Sequence, residues 1–164
     1  MTQSQLTEIT APHAGVETLL ARHHAAMRAG SPEESCHVMT GDELRASGAR
    51  IFALEKEGEV AAIGAFKVLD DPTAIELKSM HTAQEFRGQG LGGNVLQGLL
   101  QEAIRAGAQS AWLETGSDDG FAPARALYER AGFVYCAPFG SYTTDPLSVF
   151  MTLEFGLQHT SGPV

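Results

Sequence analysis

Hydrophobic positions along the first half of the chain predict one helix followed by three strands. Between Gly15 and Ala29 apolar residues recur at steps of three and four, which is the spacing of a helix with one buried face, and Gly30 ends it. The segments 49–57 and 59–69 are rich in Ile, Phe, Val and Ala, and the junction around Gly58 predicts a tight hairpin between them. A third strand is expected over 74–82. Strict alternation predicts that it has two opposite faces, formed by Ile75, Leu77 and Ser79 and by Glu76, Lys78 and Met80.

The second half changes between helical and strand periods. Apolar residues from Leu91 follow helical spacing until about Gly107, and the segment 110–114 returns to a strand. Pro123 suits the first turn of a helix that runs to about Ala131, where Gly132 caps it, and 133–136 and 148–155 read as the last strands. A three-strand meander, one strand–helix–strand crossover and a terminal strand pair predict a mixed sheet with helices on its faces, of class α/β, or α+β by stricter naming.

Length and composition indicate one domain that buries a core. The chain has 164 residues, of which 43% are hydrophobic, and we assign the domain to residues 1–157 and a flexible tail to 158–164. Eleven Lys and Arg against twenty Asp and Glu give a net charge of −9, which is the wrong sign for binding nucleic acid. The acidic field favours the approach of a cationic small molecule.

Nothing in the sequence predicts a membrane, a disulfide or a metal. No apolar run approaches the roughly 20 residues that cross a bilayer, and the N-terminus lacks a signal-peptide pattern, so we expect a cytoplasmic protein. Cys36 and Cys136 are expected to stay reduced. Cys36 next to His37 is not expected to act as a nucleophile pair, since sequence neighbours rarely face each other, and the pair His23-His24 lacks metal-ligand spacing.

The most informative stretch is the glycine-rich segment 86–94, Phe-Arg-Gly-Gln-Gly-Leu-Gly-Gly-Asn, between a strand and a helix. Glycines let backbone N–H groups approach an anion closely, and the helix start adds unsatisfied donors and the positive end of its dipole. Four glycines within six residues weaken the helix start, and a phosphate ligand explains that cost better than a plain turn does.

The glycine turn fits the sequence patterns of two protein families. Gly88, Gly90 and Gly93 satisfy the G-x-G-x-x-G pattern of dinucleotide-binding folds, with Glu114 about 20 residues further on. Three meandering strands before the turn, a single crossover after it and the short chain disfavour that interpretation.

The same turn resembles the GNAT N-acetyltransferases, whose signature is Arg or Gln, two residues, Gly, one residue, then Gly or Ala. Residues 87–92 fit that signature, residues 127–133 (Leu-Tyr-Glu-Arg-Ala-Gly-Phe) look like the family's helix-to-strand segment, and the order of elements agrees over nearly the whole chain. Residues 34–37, 76–80, 114–116 and 138–140 look like a bacterial subgroup that includes YsnE-type proteins. The resemblance implies a mostly antiparallel sheet of about six or seven strands with about four helices.

The resemblance also implies an acetyl-CoA site. The amides of the turn would hold the pyrophosphate, and the edge of the strand at 80–82 would bond the pantetheine arm and polarise the thioester carbonyl. The cofactor-binding residues implied are Met80, His81, Thr82, Arg87, Gly88, Gln89, Gly90, Gly92 and Gly93. Two positions depart from the family, with Phe121 where many members carry an Asn and Gln84 where a Pro is usual.

For catalysis, Tyr128 matches the family tyrosine that donates a proton to the leaving CoA thiolate. Glu76 is the candidate base that takes a proton from the acceptor, although pairing with Lys78 is an equally good explanation of it, and Glu114 is the fallback. His37, Phe139 and Tyr142 are expected to line the acceptor site.

The sequence therefore predicts an acetyl-CoA-dependent N-acetyltransferase that acts on a small amine by direct attack in a ternary complex. A homodimer through the terminal strands is compatible with the family. Two alternatives remain, a non-catalytic CoA-binding module and a small NAD-dependent oxidoreductase.

Overall fold

The central sheet of the protein has seven strands in the order β1-β2-β3-β4-β5-β7-β6. The structure, a computed structural model, describes residues 6–29 and 40–155. The strands are β1 Leu6–Ile9, β2 Arg50–Lys56, β3 Glu59–Val68, β4 Ala74–Thr82, β5 Ser110–Gly116, β6 Val134–Cys136 and β7 Ser148–Glu154. The helices of the described residues are α1 Ala14–Ala29, α2 Gly41–Ala46, α3 Leu91–Arg105 and α4 Ala122–Ala131.

All neighbouring strands are antiparallel except β4 and β5, which are joined by the crossover helix α3. The predicted mixed, mostly antiparallel sheet is thus confirmed. The tight β2–β3 hairpin that the sequence predicted turns at Glu57 and Gly58, whose φ angles of 56° and 82° are left-handed. The predicted tail at 158–164 lies outside the described residues.

Two short elements escaped the sequence analysis. Strand β1 has four residues and pairs with β2 at the edge of the sheet. Helix α2 has six residues and begins with a capping box, in which the Thr40 side chain accepts from the amide of Glu43 and the Glu43 side chain accepts from the amide of Thr40. Both elements are too short for a hydrophobic period to show.

Helices pack on both faces of the sheet. Helix α3 buries the residues that its spacing predicted, and a Cβ at Gly64 of β3 would lie within 3 Å of its Leu99 and Val95 side chains. Helix α4 packs on the same face, where a Cβ on Gly132 would lie 3.3 Å from Leu153 Cδ1 of β7. Helices α1 and α2 cover β2, β3 and β4 from the other face. Across the described residues no helix is both long and apolar enough to cross a membrane.

The sheet opens between β4 and β5, and this opening positions the site. The two strands pair from Ala74 with Ser110 only as far as Leu77 with Leu113, whereas β4 stays paired to β3 up to Thr82. The last five residues of β4 therefore have no β5 partner on that side. Helix α3 adds apolar side chains to the core, and each of its buried Leu and Val residues contributes about 1.5–3 kcal/mol.

Candidate active site

The glycine turn leads from the end of β4 into α3 over exposed backbone. Gly88 and Gly90 have φ angles of 85° and 79°, a region that favours glycine, and a Cβ at either would meet no atom within 4 Å. Gly90 is the N-cap of α3 and provides no capping side chain. The first amides of α3 therefore remain donors for an anion at this end.

The turn is held against both β4 and α4. The Arg87 side chain donates from Nε to the carbonyl oxygen of Thr82 at 3.3 Å. A Cβ on Gly92 would lie 3.4 Å from Leu127 Cδ2 and 3.6 Å from Thr82 Oγ1. A side chain larger than hydrogen at Gly92 would therefore narrow the gap between the turn and the open edge of β4.

A β-bulge at Ser79 corrects the predicted faces of β4. Ser79 has a φ of 56°, and the pairing with β3 shifts register between Ile63 and Ala65. Because of the extra residue, Met80 does not share the face of Glu76 as predicted, and its sulfur would lie 2.7 Å from a Cβ on Gly64, on the α3 face.

An open cleft of about 650 Å³, its mouth included, lies where β4 and β5 separate. It collects predicted residues from four parts of the chain. Its walls are formed by His23, Leu44, Glu76, Leu77, Lys78, Ser79, Met80, Leu113, Glu114, Thr115, Phe121, Ala124, Tyr128 and Tyr142.

Tyr128 is presented by α4 and is 5% exposed. Its ring packs edge-to-face on the ring of Phe133, with 5.8 Å between the ring centroids, and this contact orients the phenol. Burial raises the pKa of the Tyr128 phenol. The side chain therefore stays a neutral O–H, which is the form of a proton donor.

Glu76 is 6% exposed and has two partners on the same oxygen, Oε2. The Tyr142 hydroxyl donates to it at 2.5 Å, and Lys78 Nζ lies 3.5 Å from it. The predicted pairing with Lys78 is thus present, and so is the predicted position in the cleft. The fallback base, Glu114, lies on β5 and accepts from the Ser148 hydroxyl at 2.6 Å.

His23 lines the cleft, although the sequence analysis gave it no role. Its ring meets that of His81 at 5.4 Å, edge to face. Burial lowers the pKa of each imidazole to about 4, helped for His23 by the charge of His81 and for His81 by those of Arg87 and Arg22. Both are therefore neutral at pH 7. The place of His23 on the apolar stripe of α1 was the available signal.

The remaining predicted residues lie in different surroundings. Phe139 packs behind Tyr142, at 5.2 Å between ring centroids, and is not among the residues that line the cleft. His37 lies outside the described residues. Phe121, at the family's Asn position, lies over Gly116, where a Cβ would overlap its ring, and it lines the cleft. Arg125 of α4 donates to the carbonyls of Gly116 and Asp118 at 2.6 and 2.8 Å.

The sheet disagrees with a dinucleotide-binding fold. Such a fold is built on a parallel sheet, whereas only the β4–β5 pair is parallel among the described strands. Glu114 does lie at the end of the strand that follows α3, but its oxygen accepts from Ser148 of β7. The similarity of the glycine turn to G-x-G-x-x-G is therefore limited to the turn.

Comparison with known proteins agrees with this architecture. The model of the acetyltransferase (GNAT) family matches residues 16–133. The uncharacterised N-acetyltransferase YsnE of Bacillus subtilis is 41% identical over 84% of this chain and 90% of its own length. The uncharacterised N-acetyltransferase YedL of Escherichia coli is 37% identical over 86% of this chain and 88% of its own.

A solved structure shows the same fold at low sequence identity. The structure of a Bacillus subtilis acetyltransferase in complex with CoA superposes with a TM-score of 0.68 at 13% identity, over 93% of this chain and 99% of that one. This chain therefore belongs to the GNAT family of acetyltransferases and is an N-acetyltransferase that uses acetyl-CoA.

Proposed function

We propose that the acceptor is a small primary amine that attacks acetyl-CoA directly while both substrates occupy the cleft. The observation that carries this proposal is that one cleft joins three features. They are the open edge of β4, the buried neutral phenol of Tyr128 and the carboxylate of Glu76. Transfer from a thioester to an amine needs a thioester held in place, a donor for the thiolate and an acceptor for the ammonium proton.

In this proposal the turn binds the pyrophosphate of acetyl-CoA. Its oxygens would accept hydrogen bonds from the amides of Gly88, Gln89, Gly90, Gly92 and Gly93. Arg87 is the first residue of this loop. The uncapped start of α3 and the exposed backbone at 87–90 support this assignment. Because the helix dipole adds to these donors, the turn favours a doubly charged group over a neutral one.

The open edge of β4 would bind the pantetheine arm as an added strand. Backbone groups of Met80, His81 and Thr82 are the assigned partners, and the loss of β5 pairing after Leu77 supports them. One amide near the bulge at Ser79 would donate to the thioester carbonyl, where negative charge develops during attack.

Tyr128 would protonate the departing thiolate. As the C–S bond breaks, the phenol would donate its proton to the sulfur, and the phenolate would regain a proton from solvent after CoA has left the cleft. The burial of Tyr128 excludes competing water during the transfer. General-acid catalysis of this kind contributes about 10²- to 10⁴-fold to a rate.

Glu76 would take the proton that the attacking amine must lose. Its position in the cleft supports the role, while its contacts with Tyr142 and Lys78 mean that it enters the reaction already partnered. Glu114 lies on the neighbouring strand in the same cleft and is the alternative base. Two carboxylates in one cleft also favour a cationic acceptor. We assign Tyr142 to the wall of the acceptor site, with Phe139 behind it.

Release of CoA in the presence of primary amines such as putrescine, tyramine and histamine tests the proposal. At least one should be acetylated, and Glu76→Gln should lower kcat by about 10²-fold or more, whereas Glu114→Gln, the matched control, keeps most of it. The loss of kcat in Glu76→Gln should be smaller with methoxyamine. This amine is already neutral at the assay pH, so it needs no base to free the lone pair that attacks. A defect of equal size with both kinds of amine would contradict a base at Glu76.

Direct attack is tested separately by intact-protein mass. Incubation with acetyl-CoA alone should leave the mass of the protein unchanged, because no acetyl-enzyme forms before the amine binds. Stoichiometric acetylation of the protein that is discharged by an amine would contradict a ternary complex.

A further inference from the structure

A tyrosine from the last loop reaches the candidate base across the cleft. Tyr142 lies between β6 and β7, 66 positions along the chain from Glu76, and its hydroxyl donates to Glu76 Oε2 at 2.5 Å. The contact is partly buried, so water competes with it little. A short hydrogen bond to a carboxylate is among the stronger contacts in a protein.

The ring of Tyr142 is fixed by an aromatic cluster that consists of Trp112, Phe139, Tyr142 and Phe150. Tyr142 packs against Phe139 at 5.2 Å and Phe150 at 5.5 Å, and Phe139 also packs against Trp112 at 5.5 Å. Trp112 and Phe150 are in the sheet, on β5 and β7. The cluster therefore ties Tyr142 to the sheet that also carries Glu76, and its hydroxyl has little freedom to leave the carboxylate.

The loop that carries Tyr142 is also anchored by its backbone. The Ser117 hydroxyl donates to the carbonyl of Pro146 at 2.7 Å, and the amide of Ser117 donates to the carbonyl of Leu147 at 3.1 Å. Nearer its other end, the amide of Tyr142 donates to the carbonyl of Phe139 at 3.0 Å. Few of the torsions that would move Tyr142 away from Glu76 are therefore free.

From this arrangement we infer that Tyr142 is a positioning residue that orients the Glu76 carboxylate for proton transfer, an inference that rests on the proposed role of Glu76. Tyr142 and Lys78 both contact Oε2. With Oε2 held, rotation of the carboxylate is restricted, and Oε1 is assigned as the atom that takes the proton from the acceptor. The proton would pass from the acceptor ammonium to Glu76 Oε1, while Tyr142 keeps its own proton.

Tyr142 keeps its proton because its surroundings disfavour the phenolate. Burial and the negative charges of Glu76 and Glu114 raise the pKa of the Tyr142 phenol. The other ionisable groups on the walls of the cleft are Lys78 of β4, His23 of α1 and Tyr128 of α4. Tyr142 is thus a hydrogen-bond donor throughout the pH range of an assay, and its effect should be exerted through Glu76.

A double-mutant cycle on the rate tests the inference. Tyr142→Phe should lower kcat about ten- to hundredfold, the equivalent of one hydrogen bond to a charged group, without changing the Kd of acetyl-CoA. The loss should also shrink with methoxyamine, as that of Glu76→Gln does, because this amine is already neutral at the assay pH. In a Glu76→Gln background, Tyr142→Phe should lower kcat no further.

The chain offers a matched control for this change. The Tyr135 hydroxyl donates to Glu129 Oε2, also at 2.5 Å, but Tyr135 is exposed and lies outside the cleft. Tyr135→Phe should therefore leave kcat at the wild-type value with each amine.

Each failure has its own signature, measured with whichever of putrescine, tyramine and histamine reacts fastest. An equal loss from Tyr142→Phe with and without Glu76 would overturn the inference, since Tyr142 would then act on the acceptor itself. So would a loss of equal size with methoxyamine and with an amine that is protonated at the assay pH. Full activity of Glu76→Gln, or no reaction with any of these amines, would instead refute the proposed function.

Discussion

Gly92 offers a test in which stability should rise while acetyl-CoA affinity is kept. It lies in the first turn of α3 with a helical backbone, so alanine can adopt its conformation without strain. Replacing such a glycine by alanine stabilises a protein by about 0.4–1 kcal/mol, mainly because the unfolded chain becomes less flexible. For a chain of this length, Gly92→Ala should raise Tm by about 1–4 °C.

The same methyl group should leave acetyl-CoA binding intact, because the family signature accepts Ala as well as Gly at this position. It would lie 3.4 Å from Leu127 Cδ2 and 3.6 Å from Thr82 Oγ1, which are ordinary contact distances. Gly90→Glu is the contrasting change, since it would place a negative charge at the proposed pyrophosphate site. If one amide–phosphate contact is lost there, at about 1.5–3 kcal/mol for a hydrogen bond to a charged group, Kd rises about ten- to hundredfold.

Thermal unfolding without ligand and calorimetric titration with acetyl-CoA measure the two effects on one sample. Asn94→Ala is the matched control, because Asn94 is exposed in the same turn of α3 and the change improves helix propensity without adding a group near the cleft. The reasoning is refuted if Gly90→Glu binds acetyl-CoA as tightly as the wild type, since the turn would then hold no phosphate.

Two further predictions concern stability. The pKa values of about 4 for His23 and His81 lie below the usual 6.5, so the unfolded chain binds more protons between pH 6.5 and pH 4, and acidification through that window should destabilise the fold. In urea unfolding, the free energy of unfolding should fall by about 2 kcal/mol less on acidification for His23→Leu than for the wild type. Parallel pH dependences of variant and wild type would contradict this prediction. Gly116→Ala should lower the free energy of unfolding by about 1–3 kcal/mol because its methyl group would overlap the Phe121 ring. Phe121→Leu should recover part of that loss, and an equal loss in both backgrounds would show that the ring is not the cause.

Local patterns were sufficient for the longer elements and for the glycine turn. Helix α3 buries the positions that its period indicated, from Leu91 to Ala103, because one apolar stripe of a 15-residue helix is a strong signal. The turn could be identified because glycine in a positive-φ conformation, as at Gly88 and Gly90, has few substitutes.

Features that depend on tertiary structure were not readable. The bulge at Ser79 interrupts a strand whose residues alternate regularly, and only the pairing with β3 reveals it. The contact of Tyr142 with Glu76 joins residues 66 positions apart, and no local pattern encodes such a distance. The sequence shows that Phe121 stands where many family members carry an Asn. It does not show that the Phe121 ring lies over Gly116.

The central claim is that a buried, neutral Tyr128 donates the proton that lets CoA leave. The most direct test is the rate of CoA release at saturating acetyl-CoA and amine for Tyr128→Phe, beside Tyr135→Phe as the exposed control. We expect kcat of Tyr128→Phe to fall about a hundredfold or more with an unchanged Kd for acetyl-CoA, and Tyr135→Phe to match the wild type. A Tyr128→Phe protein that releases CoA at the wild-type rate would contradict the account.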